Sequence, residues 1–251
     1  MRREYFRITR IAKKWDHTTG KFHYDIRFRA QTEVTPRTVA VAEAFGLGIN
    51  QDEEFTIYDN VELKIGPQDI VLITGESGSG KSVLLRALEK DLGPENAFNI
   101  ADVAVDSDRP LIDTVGRTFE EGLELLSLVG LNDAFLFLRR YGELSDGQRY
   151  RYRLAKLMES GKQFWVMDEA MATLDRDTAK IVAFNVQKLA RKMGRAVLAA
   201  TTHTDLFDDL KPIVHIHKGL GKAIQVHYYH NEVNRECSLT RDMRIVEGSK
   251  E

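Results

Sequence analysis

The sequence has a single cysteine, no long apolar run and almost no net charge. One thiol, Cys237, excludes an intramolecular disulfide and a cysteine-rich zinc site. No apolar stretch approaches the roughly 20 residues that a membrane-spanning helix needs, and the opening MRREYFRITR lacks the hydrophobic region of a signal peptide. A formal net charge of −2 excludes a general attraction to nucleic acid or acidic membranes. These absences predict a soluble, cytoplasmic protein without direct membrane insertion.

The composition is that of a globular α/β protein. The 251 residues fit one domain with or without a small appendage, and 43% hydrophobic with 29% charged residues can bury a core and remain soluble. The chain has no internal repeat and no low-complexity tract.

The most informative stretch is IVLITGESGSGKSVLLRAL, residues 70–88. Ile70–Thr74 is an apolar run of the length of a buried parallel strand, and Ser82–Leu88 has helical spacing. Between them, GESGSGKS matches G-x-x-x-x-G-K-[ST], in which backbone N–H groups and a helix N-terminus surround a phosphate. The predicted nucleotide-binding residues are Gly75, Glu76, Ser77, Gly78, Ser79, Gly80, Lys81, Ser82 and Val83. Lys81 would reach the β- and γ-phosphates, and Ser82 would ligate Mg²⁺.

A second group of polar residues follows a predicted strand over residues 163–167. Asp168 and Glu169 stand at its carboxyl end, where α/β sheets bind ligands. Asp168 is placed to hold Mg²⁺ through water, and Glu169 to act as general base on an attacking water. The next predicted strand, Ala196–Ala200, leads to His203, which would lie at the same edge of the sheet.

The segment Leu144-Ser145-Asp146-Gly147-Gln148 precedes a predicted helix over residues 149–159. A hydroxyl, a glycine and a helix N-terminus together favour an anion. Asp175 precedes another predicted helix, Thr178–Lys192.

The order of these motifs resembles that of an ABC-type ATPase nucleotide-binding domain. GESGSGKS resembles the Walker A motif, LSDGQ the signature motif, FWVMDE the Walker B motif and ATLD the D-loop, and His203 falls where the switch histidine is expected. The resemblance covers about residues 40–220. It implies an ATP- and Mg²⁺-dependent ATPase that forms a head-to-tail homodimer. Ser145, Gly147 and Gln148 of the partner copy would then close over the phosphates, and Asp175 would line the seam between the copies.

The resemblance implies a fold with a mainly parallel P-loop NTPase core, an antiparallel β subdomain and a shortened helical subdomain. The boundaries predicted within a single domain, residues 1–251, are 1–65 for the antiparallel part, 66–105 and 160–220 for the core, 106–159 for the helical part with the signature, and 221–251 for the C-terminal part. The segment from Lys81 to Leu144 is shorter than in transporter members. That shortness favours a soluble, non-transporter ATP switch. Nucleic-acid metabolism or modification is the first hypothesis for its role, and a transporter subunit is the alternative.

Two family features are altered or ambiguous. The loop VAVDSDRPLIDTVG contains no glutamine, so either Asp106 or Asp108 replaces it as a metal contact, or the loop only faces solvent or a partner. Phe45 and Phe55 are alternative candidates for stacking on adenine; either could equally belong to the core.

The end of the chain suggests a further, narrower resemblance. Residues 237–248 resemble the junction that leads into an acetyltransferase domain in a fused subfamily of these ATPases. The chain is then either a stand-alone form or one that has lost that domain.

Residues 1–31 are predicted to form a hairpin, with Phe22, Tyr24 and Ile26 alternating with polar residues. Its excess of Lys and Arg indicates either a nucleic-acid contact or the solvated face of an edge hairpin. The remaining predicted elements are a helix over Pro36–Ala44, strands over Phe55–Ile65 and Ile100–Val105, and a helix over residues 118–140.

Two more clusters have alternative interpretations. His215, His217, His227 and His230 could hold a metal together with Cys237, or could simply alternate on an exposed edge strand. Arg149, Arg153 and Lys156 form a stripe at i, i+4 and i+7, either a contact for nucleic acid or a partner protein, or a solvated helix face.

Overall fold

A computed structural model describes residues 6–11, 20–30, 34–46 and 53–229. Part of the predicted hairpin, His230, Cys237 and the junction-like segment 237–248 lie outside these residues. The described chain forms two compact units. One unit comprises the residues up to Lys64 together with Gly219–Ala223, and the other comprises Ile65–Lys218 and the residues from Ile224 onward.

The strands are β1 (Phe6–Ile11), β2 (Lys21–Ala30), β3 (Glu53–Lys64), β4 (Ile70–Thr74), β5 (Ala97–Asn99), β6 (Phe164–Met167), β7 (Ala196–Ala200), β8 (Val214–Lys218) and β9 (Ile224–Tyr228). The α-helices are α1 (Pro36–Phe45), α2 (Lys81–Leu92), α3 (Phe119–Leu128), α4 (Ala134–Phe137), α5 (Asp146–Glu159), α6 (Arg176–Met193) and α7 (Phe207–Leu210). Single 3₁₀ turns occur at Ile100–Asp102, Leu111–Asp113, Tyr141–Glu143 and Thr204–Leu206.

The first unit contains an antiparallel sheet of order β1-β2-β3. Phe22, Tyr24 and Ile26 are buried, which agrees with the alternation in the sequence. Two of the basic residues of β2 are paired with carboxylates: Lys21 Nζ lies 2.7 Å from Glu62, and Arg27 Nε lies 2.9 Å from Asp25.

The second unit is organised around a six-stranded sheet of order β5-β6-β7-β4-β8-β9. Only the β8–β9 pair is antiparallel, so the predicted mainly parallel core is confirmed. Alternate residues of three central strands share one face and pack with α5 and α6 in one apolar cluster. These strand residues are Ile70, Leu72, Trp165, Met167, Val197 and Ala199.

Two predicted elements were wrong. The strand expected over Ile100–Val105 ends earlier, at Asn99, because the Asn99 side chain accepts a hydrogen bond from Ala101 N and starts a 3₁₀ turn. The helix expected over residues 118–140 is broken into α3 and α4. Gly130 adopts φ 81° after α3, and Asp133 caps a new helix.

Candidate active site

The P-loop connects β4 to α2 and contains three glycines with positive φ: 144° at Gly75, 77° at Gly78 and 105° at Gly80. Glycine is needed at Gly75 for a second reason. A Cβ built there would lie 2.0 Å from the carbonyl oxygen of Lys218, at the end of β8. The loop is therefore folded tightly against the neighbouring strand, with α2 starting directly behind it.

The Lys81 side chain is folded back over this loop. Its ammonium group donates to the carbonyl oxygens of Gly75 at 2.8 Å and Glu76 at 2.6 Å. Burial lowers the pKa of Lys81, and the nearby carboxylates of Asp168 and Glu169 act in the opposite direction. An ammonium has three donors, so the group is held in place and retains a donor for a phosphate oxygen.

The two predicted magnesium ligands contact each other. Ser82 Oγ donates to Asp168 Oδ1 at 2.8 Å, although the residues are 86 positions apart. Asp168 Oδ1 also accepts from the backbone N–H of Glu169 at 3.1 Å. Hydroxyl and carboxylate oxygens are the ligands that Mg²⁺ prefers, so this pair fits the metal that the motif implies.

Ser79 was included in the P-loop prediction without a role of its own. Its hydroxyl is buried and has no hydrogen-bond partner among the described residues. It lies inside the turn of the loop, 3.2 Å from the position a Cβ would take at Gly75. A buried hydroxyl without a partner is costly, and a phosphate oxygen in the loop is an acceptor that would remove this cost.

Glu169 is exposed and follows the two predicted metal ligands on a strained turn. Its φ is 49°, and that of Met171 is 59°, in a region that non-glycine residues rarely adopt. A hydrogen bond connects this turn to the end of β7: Ala170 N donates to the carbonyl oxygen of Ala200 at 2.8 Å. Strain of this kind is concentrated at functional sites, and no feature of the sequence indicated it.

Strand register brings the predicted catalytic residues to one edge of the sheet. β7 lies between β6 and β4, with Met167 opposite Ala199 and Ile73 opposite Ala200. The loops after these three strands therefore start at the same level. Half-buried His203 follows β7, and its backbone N–H donates to the hydroxyl of Thr201 at 3.1 Å.

The signature residues form the N-terminus of α5. Ser145 Oγ accepts from Gln148 N at 3.3 Å, and Gln148 Oε1 accepts from Ser145 N at 3.0 Å, which is a capping box. A Cβ at Gly147 would lie 3.3 Å from the methyl group of Thr178, so α5 begins close beside α6. Ser145 itself is exposed.

Asp175 caps α6, accepting from Thr178 N at 3.0 Å. Hydrogen bonds from Thr178 lower the pKa of Asp175. The carboxylate therefore stays ionised at the positive end of the helix.

Two other predictions, the metal contact of the loop and the aromatic that stacks on adenine, remain predictions. Asp106 and Asp108 are exposed, and Asp106 Oδ1 accepts from the backbone N–H of Asp108 at 3.0 Å. This contact shapes the loop without testing the metal role. Phe45 and Phe55 are 76% and 53% exposed, respectively, which rules out a core role for either and leaves both available for stacking.

The basic stripe of α5 is partly exposed and also makes contacts within the chain. Lys156 Nζ donates to Thr114 O at 2.8 Å and pairs with Glu159. The guanidinium groups of Arg149 and Arg153 lie 5.8 and 5.9 Å from the ring centre of Tyr141. All three cations therefore have intramolecular contacts.

The expectation that His215 and His217 occupy an exposed edge strand was wrong, because β8 lies between β4 and β9. Both imidazoles contact the hydroxyl of Thr74, at 2.8 and 3.1 Å. Burial, and then the charges of His227 and His217, lower the pKa of His215. Among the described residues, no group of three or more potential ligands could hold a metal ion.

The fold and the site define a P-loop nucleotide-binding protein, and comparisons with known proteins make this specific. A family model described as the P-loop containing region of AAA domain matches residues 54–104. The cytochrome c biogenesis ATP-binding export protein CcmA of Agrobacterium fabrum is 31% identical over 189 residues, which cover 63% of this chain and 87% of CcmA. The chain therefore belongs to the ABC-type ATPases, whose nucleotide-binding domains bind and hydrolyse ATP.

More distant similarities agree. The alpha-hemolysin translocation ATP-binding protein HlyB of Escherichia coli O6:H1 is 27% identical over 198 residues, and the chain spans only 28% of its length. Two dimeric structures of the ATP-binding cassette MJ0796, one bound to ADP and Pi, each align with a TM-score of 0.55. Both are 19% identical and cover 69% of this chain and 92% or 91% of theirs, which shows the shared fold. No helix in the described part of the chain is long and apolar enough to span a membrane.

Proposed function

We propose that the chain hydrolyses Mg²⁺-bound ATP in a composite site formed by two copies arranged head to tail. The observation that carries this proposal is the 2.8 Å contact of Ser82 with Asp168 beside the anchored Lys81. In the proposed site, Lys81 and the loop amides hold the triphosphate, and Ser82 and Asp168 hold the metal. Glu169 takes the proton of the attacking water, and His203 contacts the γ-phosphate.

The second copy would close the site with its signature segment. Ser145 is exposed at the N-terminus of a 14-residue helix, where backbone N–H groups and the helix dipole favour an anion. Asp175 would line the seam between the copies. The dimeric cassettes that share this fold support the arrangement.

Mixing two inactive variants tests the composite site. Lys81→Ala removes the cation that contacts phosphate in the P-loop half of the site. Ser145→Arg places a bulky side chain in the half formed by the signature segment. Each variant alone is expected to be inactive. A mixed dimer contains one site built from an intact P-loop and an intact signature, so ATP hydrolysis measured by phosphate release should reappear on mixing.

The matched control is a mixture of Lys81→Ala with Glu169→Gln. Both changes affect the same half of the site, so no mixed dimer contains an intact site and activity should stay absent. The head-to-tail arrangement is wrong if the first mixture also stays inactive, or if Ser145→Arg alone hydrolyses ATP at the parental rate.

We further propose that ATP-driven closure acts on a partner outside the membrane, with nucleic acid as the first candidate. Helices α3 and α4 have ten and four residues, and the loop before them lacks glutamine, so the surface with which transporter members engage a membrane partner is altered. The excess of basic residues in the first 30 positions supports nucleic acid, although Lys21 and Arg27 are already paired.

The names of CcmA and HlyB, an export and a translocation protein, favour the alternative of a subunit in an export complex. Two measurements separate these functions. Titration with single- and double-stranded DNA and RNA over a range of salt should show affinity that falls with salt if nucleic acid is the partner. Stable co-purification with an integral membrane protein, combined with no nucleic-acid binding, would establish the export function instead.

A further inference from the structure

The outward face of α6 combines exposed apolar and basic side chains. Ile181 and Phe184 are 61% and 46% exposed, although both are large and apolar. Lys180, Lys188 and Lys192 are exposed on the same side of the helix. The opposite side is buried in the core and consists of Ala179, Val182, Ala183, Val186, Gln187, Leu189 and Ala190. We call the outward residues 180, 181, 184, 188 and 192 the α6 face.

The spacing makes the α6 face one continuous stripe. Residues 181, 184, 188 and 192 follow one another by three or four positions, so their side chains are neighbours along the helix. At 1.5 Å per residue, the stripe from Lys180 to Lys192 is about 18 Å long. A stripe of this length matches roughly three turns of a second helix packed alongside.

The lysines of this face have no ion-pair partner in the described chain, although the segment packed beside α6 includes the exposed Asp205 and Asp208. Lys180, Lys188 and Lys192 form no ion pair there. The neighbouring Arg191, in contrast, donates to the carbonyl oxygen of Lys211 at 3.0 Å. The exposed side of α6 has a single acidic residue, Asp177, in the first turn. A surface of this kind selects a partner with negative charge.

We propose that the α6 face docks an acidic amphipathic helix of a partner protein. Such a helix offers apolar side chains at i, i+3 and i+4 for Ile181 and Phe184, and flanking carboxylates for the three lysines. A nucleic acid backbone would neutralise the lysines but would bury the two apolar side chains against charged phosphates. The proposal is independent of the ATP site, because none of these five residues was assigned a role there.

A synthetic peptide tests the proposal. The probe is an 18-residue helical peptide with leucines at i, i+3, i+4 and i+7 and glutamates on both flanks, labelled for fluorescence anisotropy. The full chain is expected to bind it at physiological salt. A peptide of the same composition in scrambled order should bind at least about tenfold more weakly, because it retains the charge but loses the apolar stripe.

Variants locate the binding to α6. The double change Lys188→Glu and Lys192→Glu, and separately Ile181→Ser, should each weaken peptide binding about tenfold or more. Lys90→Glu on α2 is the control for charge. Leu220→Ser is the control for an apolar side chain, since Leu220 is 62% exposed and Ile181 61%. Neither control should change peptide affinity, and all four proteins should retain parental ATP hydrolysis.

Several outcomes would overturn the proposal. Absence of peptide binding up to millimolar concentration would do so, as would equal binding of the scrambled peptide. The parent chain could also bind a DNA duplex or anionic vesicles, with that binding lost in the double variant. This result would identify the face as a general surface for polyanions or membranes. A change in dimerisation of the Ile181→Ser variant, measured by light scattering, would assign the face to a second copy of the chain. If the full chain fails to bind the peptide but still hydrolyses ATP, the docking proposal is wrong and the proposed ATP site is unaffected.

Discussion

Replacing Glu169 by glutamine is expected to leave ATP bound but to slow its hydrolysis about 10²- to 10⁴-fold, the usual contribution of a general base. An amide cannot take a proton from water, whereas its size and shape match those of the carboxylate. Glutamate and glutamine are both non-glycine residues, so the strain at φ 49° is expected to be the same for either. The change therefore tests chemistry rather than folding. Phosphate release at saturating ATP measures the rate, and light scattering with ATP measures accumulation of the proposed dimer.

Glu124→Gln on α3 is the matched control, since Glu124 is an exposed glutamate outside the site. It should hydrolyse ATP at the parental rate. Hydrolysis at that rate by the Glu169 variant itself would mean that a different group activates the water, and His203 would be the next residue to replace.

Replacing Lys81 by alanine should weaken ATP binding at least about tenfold. The ammonium is the cation built into the phosphate cradle, and the P-loop folds so that two carbonyl oxygens hold it in place. The one donor that remains for a phosphate oxygen forms a charge-assisted hydrogen bond of about 1.5–3 kcal/mol, which corresponds to a loss of roughly 10- to 10²-fold in affinity. Isothermal titration calorimetry of the purified variant measures this loss directly.

Lys90→Ala, at an exposed position of the same helix, controls for a general loss of charge or helix stability. Its ATP affinity should equal that of the parent. An unchanged ATP affinity in the Lys81 variant would disprove the assignment of the P-loop, whether or not the variant hydrolyses ATP.

The strands that carry the site could be predicted because their sequence signal is local. β4 and β7 are continuous apolar runs, and the structure places both with the predicted bounds. A parallel strand buried on both faces requires such a run, and the polar residues at its end stand out against it. The same reasoning located the loop that carries Asp168 and Glu169.

The errors arose where a single polar residue or a distant contact decided the structure. Asn99 ended β5 by capping a turn, and Gly130 broke a helix that the apolar spacing alone would continue. The position of β8 inside the sheet follows from its pairing with β4. The two strands are far apart in the chain: Thr74 and His215, which are in contact, are separated by 141 positions. Periodicity within one segment contains no information about such pairing.

Several features of the candidate site have no sequence signature. The hydrogen bond between Ser82 and Asp168, the partnerless hydroxyl of Ser79 and the positive φ of Glu169 depend on how separate segments meet. Motifs identify which residues have the right chemistry. The distances that let them act together come from the folded chain.

The close approach of Gly75 to the carbonyl oxygen of Lys218 determines how small a working fragment can be. The carbonyl oxygen that packs against Gly75, the first glycine of the P-loop, belongs to β8. This strand follows all the recognisable motifs in the chain. A fragment cut after the His203 loop would contain all the motif residues, yet it would lack the strand against which the loop turns. A minimal nucleotide-binding fragment must therefore extend through β8, well past the last residue that sequence motifs would identify as necessary.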